Sequence, residues 1–212
     1  MREADINPDI ENLVQAFGVS RETIRMFHVE HGFHAAWLRF KRALTQRNAR
    51  LKQGGGSMAE WDREFHDAAL LLHDARADYV EVLVPVFQRV AEEVLQAKVG
   101  RVEIEYQKGW AHEKLADALA ERLMLDRAVK HTTQGPHRAD LEVLIDGRRA
   151  KDVLSRGQTK LFVAAMIFAQ SLLLAEHAGS GMRAGDGQVV FLIDDLTSEL
   201  DKQAAQSILG FL

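Results

Sequence analysis

The 212-residue chain contains no cysteine. That excludes a disulfide framework and any chemistry at a thiolate, and it suits a reducing cytoplasm. There is no basic excess either. A formal charge of −4 excludes a uniformly basic nucleic-acid binder but leaves room for a local basic face. No apolar run reaches the roughly 20 residues of a membrane-spanning helix. The longest, LFVAAMIFAQSLLLA at 161–175, is broken by Gln170 and Ser171 and reads as a helix buried on most sides. The opening MREADINPDIENLV puts charges where a secretory leader needs an apolar core, so a cytoplasmic protein with no membrane partner is expected. No Gly-Lys dipeptide occurs, so the chain has no G-x-x-x-x-G-K-[ST] phosphate loop; QGGGSMAE at 53–60 has glycines without the lysine.

What is present begins with helices. A chain of this length forms one large or two small domains. Residues 33–52 predict a helix with Trp37, Phe40, Leu44 and Leu51 on its apolar positions. The same stretch carries Arg39, Lys41, Arg42, Arg47, Arg50 and Lys52 and not one acid. Gly54–Gly56 break it, and a second, acidic helical segment runs from Glu60 to about Lys98, with Pro85 expected to kink or divide it. A basic helix, a glycine turn and an acidic helix predict an antiparallel hairpin. Its charges either pair across the hairpin or, on the basic side, line up as a stripe that contacts DNA phosphates.

The second half changes period. RVEIEYQ at 101–107 alternates like a half-buried strand, and residues 111–130 fit a helix. ADLEVLIDGRRA at 139–150 predicts a strand with an Asp146-Gly147 turn. A helix follows, led by Ser155. QVVFLIDD at 188–195 is an unbroken apolar run ending in two acids, as in a central strand covered on both faces. The fold class expected is therefore α/β: a helical lobe over residues 1–100, then a mostly parallel sheet with helices over 101–212.

Two stretches carry chemistry. In DVLSRGQTKLF (152–162), Ser155 and Gly157 stand at the start of an apolar helix. Ser155 reads as an N-cap, and the same geometry makes a phosphate site. In FLIDDLTSELD (191–201), a buried strand delivers Asp194 and Asp195 side by side. One reading is an N-cap and an ordinary loop acid. The other is a magnesium-holding carboxylate beside one that orients a water for phosphoryl transfer.

LSRGQ (154–158) is similar to the signature of the ABC-type ATPases, FLIDD (191–195) resembles their Walker B strand, and SELD (198–201) resembles their D-loop, in matching order. Arg156, Asp195 and Leu196 depart from the pattern of transporters. Those departures, with MFHVEHGFHAAWLRFKRALTQRNARLK (26–52), KGW (108–110) and HTTQGPHRADLEVLIDGRRAKDVLSRGQTKLF (131–162), resemble RecF, bacterial gap-repair ATPases of the SMC-like group. The resemblance spans about residues 26–212, and the origin of 1–25 stays open. It implies an ABC-type ATPase domain over 101–212 and an ATP-dependent homodimer. In that dimer Ser155, Arg156, Gly157 and Gln158 face the partner's ATP, and Ser198 and Asp201 lie at the seam. Asp194 would hold Mg²⁺ through water, and Asp195 would polarise the attacking water. The implied function is DNA repair, recombination and replication, within the SOS response, on single-stranded or gapped DNA with recombination mediator proteins. With no phosphate loop of its own, the chain is expected to be a shortened member, inactive alone.

Other signals are weaker. His28, His31 and His34 are interrupted by Gly32 and do not share one helix face, so no metal site is read there. In GPHR (135–138), His137 and Arg138 are either a solvated pair after a turn or neighbours of nucleotide or DNA. LVQAFGVSRETIR (13–25) resembles the helix-turn-helix of bacterial repressors. It supports an alternative in which the chain is a non-catalytic DNA-binding or regulatory module.

Overall fold

The computed structural model describes residues 31–95 and 100–178, with Gln206 and Gly210. Residues 188–201, including Asp194, Asp195, Ser198 and Asp201, lie outside the described residues, as do His28 and the 13–25 segment. The elements are α1 (His31–Gln53), α2 (Ala59–Leu95), β1 (Val102–Gln107), α3 (Leu115–Val129), a single 3₁₀ turn (Pro136–Arg138), β2 (Asp140–Ile145), β3 (Arg148–Arg149), α4 (Ala150–Val153) and α5 (Arg156–Ala178).

The chain forms two compact units that interleave in sequence. One holds the hairpin and α3, from Met26–Tyr79 and Tyr106–Leu141. The other takes Val80–Glu105 and the chain from Glu142 onward. The division recurs at 79–80, 105–106 and 141–142, because α2, β1 and β2 each continue from one unit into the other.

In the hairpin unit, α1 ends with Arg50 and Lys52 in its last turn, where cations offset the exposed carbonyls. Gly54, Gly55 and Gly56 then take φ of 70°, 63° and 68°, a left-handed run that residues with a Cβ resist. α2 restarts with the Ser57 hydroxyl accepting the Ala59 N–H (3.2 Å) and with Glu60 and Asp62 in its first turn. The ion pairs Arg39–Glu64 and Arg47–Asp62 join α1 to α2 in antiparallel sense. Trp37, Phe40 and Ala43 of α1 pack with Phe65, Ala68, Ala69 and Leu72 of α2, and α3 closes this core with Leu115, Ala118 and Leu119. Pro85 does not divide α2, which runs unbroken for 37 residues.

In the sheet unit the strand order is β1-β2-β3, and β2 pairs antiparallel with β3, Ile145 opposite Arg148. Asp146 (φ 50°) and Gly147 (φ 72°) make the two-residue turn that the right-handed strand twist favours. The Asp146 side chain also accepts the Arg101 N–H at 2.8 Å. The described strands are therefore a small antiparallel feature, distinct from the parallel strand expected at 188–195. α5 is apolar nearly all round: no described residue from Leu161 to Leu173 is exposed. Phe162 meets Phe87 edge-on at 4.9 Å.

Candidate functional site

The start of α5 is a capping box. Ser155 lies just before the helix, and its Oγ accepts the Gln158 N–H at 3.3 Å. Gln158 Oε1 accepts the Ser155 N–H at 2.9 Å. Two orphan donors of the helix terminus are thus satisfied reciprocally. Thr159 donates both its N–H (2.8 Å) and its hydroxyl (3.0 Å) to the Ser155 carbonyl. The turn is tied by four hydrogen bonds, yet it keeps donors to spare: the Ser155 hydroxyl proton, the Gln158 amide and the N–H groups of Arg156 and Gly157, which precede the helical ladder. Gly157 is informative. Its φ is not positive, and a Cβ there would meet nothing within 4 Å. The fold does not require glycine at this position. A bare backbone in the first turn lowers helix stability, and its benefit is close approach by something else.

A second locus lies in the hairpin unit, where KGW and GPHR come together. The Gly135 N–H donates to the Gly109 carbonyl at 3.0 Å. Gly109 has φ 89°, and a Cβ on it would fall 2.4 Å from that Gly135 carbonyl's oxygen. Gln134 Oε1 accepts the Ala111 N–H at 3.1 Å. Arg76, buried, donates to the Pro136 carbonyl at 2.7 Å. His137 turns inward: its Nε2 meets the Thr132 carbonyl at 2.9 Å, and its ring stacks on Phe40, with Phe65 edge-on. Burial pushes its pKa down to about 4, helped by the nearby Arg138 and Arg47 charges and opposed by the Thr132 hydrogen bond. The imidazole is therefore neutral, an internal packing group, whereas Arg138 is exposed.

The structure sorts the six bases of α1 by what they touch. Arg47 is a correction to the DNA-facing stripe. It is fully buried, with Nε on Asp62 (2.8 Å) and Nη1 on both Asp126 (2.7 Å) and Thr132 Oγ1 (2.7 Å), and it cannot reach a phosphate. Asp126, equally buried, accepts the Thr133 N–H (2.9 Å) and hydroxyl (2.7 Å) on its other oxygen. Asn48 Oδ1 takes the Thr132 N–H and hydroxyl. Arg39 forms a fork with Glu64 at 2.9 and 3.0 Å, which holds the Glu64 carboxyl below its usual range. Lys41 lies over the Trp37 ring. Arg50 donates to the backbone carbonyls of Gly54 and Gly55. Arg42 and Lys52 are exposed, with no acidic partner among the described residues. Among the described residues no cluster of three metal-ligating side chains occurs.

Asp126, Thr132, Thr133 and Asn48 were not legible as a network. The bond from Arg47 to Asp126 spans 79 positions, and nothing local announces it.

No protein-family model matches the chain. Among curated proteins, the DNA replication and repair protein RecF of Pseudomonas fluorescens is 38% identical over 214 residues, covering 98% of this chain and 56% of that protein. RecF of Stutzerimonas stutzeri is 40% identical over 205 residues, with 93% and 53% covered. The first alignment takes in residues 13–25, so that segment belongs to the shared region. Among solved structures, the recombination mediator protein RecF bound to ATP superposes with a TM-score of 0.72 at 22% identity, over 99% of this chain and 57% of that one. The chain thus spans a little over half the length of the relatives it matches.

Proposed function

We propose that this chain, 38% identical to a RecF protein along 98% of its own length, supplies one face of an ATP-dependent DNA-repair ATPase. The observation that carries this reading is the capping box at Ser155 and Gln158 with the unshielded Gly157 backbone behind it. A triphosphate fits that turn. Every group it presents outward is a donor: the Ser155 hydroxyl, the Arg156 and Gly157 N–H groups at the positive end of α5, the Gln158 amide and the Arg156 guanidinium.

In this reading two copies close head to tail, and the turn meets nucleotide cradled by the other copy. Ser155 and Gln158 hold each other in place before nucleotide arrives, so little reorganisation is needed when charge develops on the transferred phosphoryl group. Asp194 holds Mg²⁺ through water, Asp195 orients the attacking water, and Ser198 and Asp201 lie at the seam. Bound ATP–Mg²⁺ supplies the phosphoryl group, and the chain's residues supply position and donors. The DNA engaged is single-stranded or gapped, with recombination mediator proteins as partners and the cytoplasm as location. His137 and Arg138 act from behind, His137 as a buried support for the GPHR turn.

The test is a chimera in which this chain replaces the matching stretch of the P. fluorescens relative. DNA-stimulated ATP turnover should drop at least tenfold with Ser155→Arg while ATP binding persists. Unchanged turnover in that variant would refute the role of the turn.

A further inference from the structure

The tip of the helical hairpin presents backbone N–H groups in a cationic surround. The Gly54–Gly56 run has all three residues left-handed and exposed. A Cβ on Gly54 or Gly55 would meet nothing within 4 Å. Its three carbonyls are all taken by guanidinium groups: Arg50 Nη1 on Gly54 (3.2 Å), Arg50 Nη2 on Gly55 (2.5 Å) and Arg127 Nη2 on Gly56 (3.2 Å). The glycine N–H groups have no acceptor among the described residues.

Charge makes this end of the unit different from the rest of α1. Arg39 and Arg47 are neutralised by carboxylates. Arg50 and Arg127 are bonded to neutral carbonyls, so their charges remain, and each keeps donors unspent. Lys52 is exposed beside them, and Lys130, exposed, caps α3 in the left-handed conformation just past Arg127. On the acidic side, the single charge of Arg47 is shared by Asp62 and Asp126, which leaves one carboxylate charge of that cluster and Glu60 in the first turn of α2, against four cations at the tip. The cations outnumber what the negative end of the α1 dipole needs.

We propose that this tip is a phosphodiester contact, with Gly54 and Gly55 donating backbone N–H groups and with Lys52, Arg127, Lys130 and Arg50, which also covers Gly56, supplying charge. Glycine lets a phosphate approach the backbone as no other residue does. Nothing at the tip reads a base, so binding is independent of sequence. The assignment to nucleic acid rests on the reading of the chain as a DNA-repair protein. An anionic membrane surface is the competing source of phosphate.

The experiment uses the 212-residue chain, fluorescence anisotropy with a labelled gapped duplex and a labelled single strand, and a salt series. Lys52→Gln with Lys130→Asn removes two exposed charges and keeps a residue that tolerates the left-handed conformation at 130. Circular dichroism checks that the pair leaves the helices unchanged. Arg101→Gln with Glu103→Gln removes an exposed paired couple outside the basic stripe and serves as control. The tip variant should bind duplex about tenfold more weakly, and its log–log salt slope should fall by about 2. The control should match the unsubstituted chain. A tip variant with full affinity overturns the tip while the DNA reading stands. An unsubstituted chain that binds neither DNA overturns the tip, while the chimera's DNA-stimulated turnover tests the DNA reading separately. Tip-dependent binding to phosphatidylglycerol vesicles but not to DNA overturns the nucleic-acid assignment.

Discussion

Replacing Asp126 with alanine should cost the hairpin unit about 3–5 kcal/mol, because it leaves the buried Arg47 guanidinium without its fully buried counter-charge. Both side chains have no exposed surface, and their bond is 2.7 Å. Asp62, the other partner of Arg47, is 29% exposed, so water shares that interaction and it cannot compensate in full. Asp126 also satisfies the Thr133 N–H, whose loss adds a buried, unpaired donor. The exposed fork Arg39–Glu64, at 43% and 45% side-chain exposure, is the internal comparison. Solvent screening limits it to about 0.2–1 kcal/mol, although its geometry is as good. Replacing both members of the buried pair, Arg47→Met with Asp126→Leu, should recover part of the loss, since no fully buried charge is left and the freed Asp62, 29% exposed, is served by water. Urea denaturation followed by circular dichroism measures both variants on one scale. If Asp126→Ala cost less than about 1 kcal/mol, water would have to reach Arg47, and the burial argument would fail.

Gly109→Ala should destabilise by about 2–4 kcal/mol or prevent folding, since a Cβ there overlaps the backbone of Gly135 and Ala139; a thermal melt within a degree of the parent would be inconsistent with that packing. Gly157→Ala should do the opposite, raising stability by about 0.5–1 kcal/mol while lowering turnover in the chimera, and a variant that is both more stable and equally active would show that the glycine serves no ligand. Ser155→Ala should cost about 1 kcal/mol of stability through the lost cap. His137 predicts an acid-labile unit. Its neutral form is the folded one, and its pKa is about 4 when folded against 6.5 otherwise. The unfolded chain therefore takes up a proton first as pH falls. Stability is full above about 6.5 and drops by about 3 kcal/mol on the way to 4. His137→Asn should flatten the melting midpoint over that window, and an unaltered pH profile would place the acid lability elsewhere.

Periodicity made the helices and the short strands legible. The apolar spacing of Trp37, Phe40 and Leu44 marked α1, and the Asp146-Gly147 dipeptide marked the hairpin turn. Glycine, as a breaker, placed the loop at 54–56 correctly. Pro85, expected to kink or divide α2, does not divide it, and Leu83 and Phe87 are buried on either side of it. Composition shows that six bases crowd α1, but only the fold shows that Arg47 points into the core, Arg39 onto Glu64 and Arg50 onto its own loop. His137 left two readings open, a solvated pair after a turn or a neighbour of nucleotide or DNA, and only the fold shows its ring turned inward onto Phe40 and the Thr132 carbonyl. The Ser155 turn was legible because a capping box is local: its two bonds join residues three apart.

The most direct test of the central claim is ATP turnover by the chimera on gapped DNA, with and without Ser155→Arg. The account predicts DNA-stimulated turnover that falls at least tenfold in the variant, with ATP still bound through the phosphate loop that the relative contributes. A chimera that turns over equally well with arginine at 155, or that binds ATP and DNA and never turns over, would contradict it.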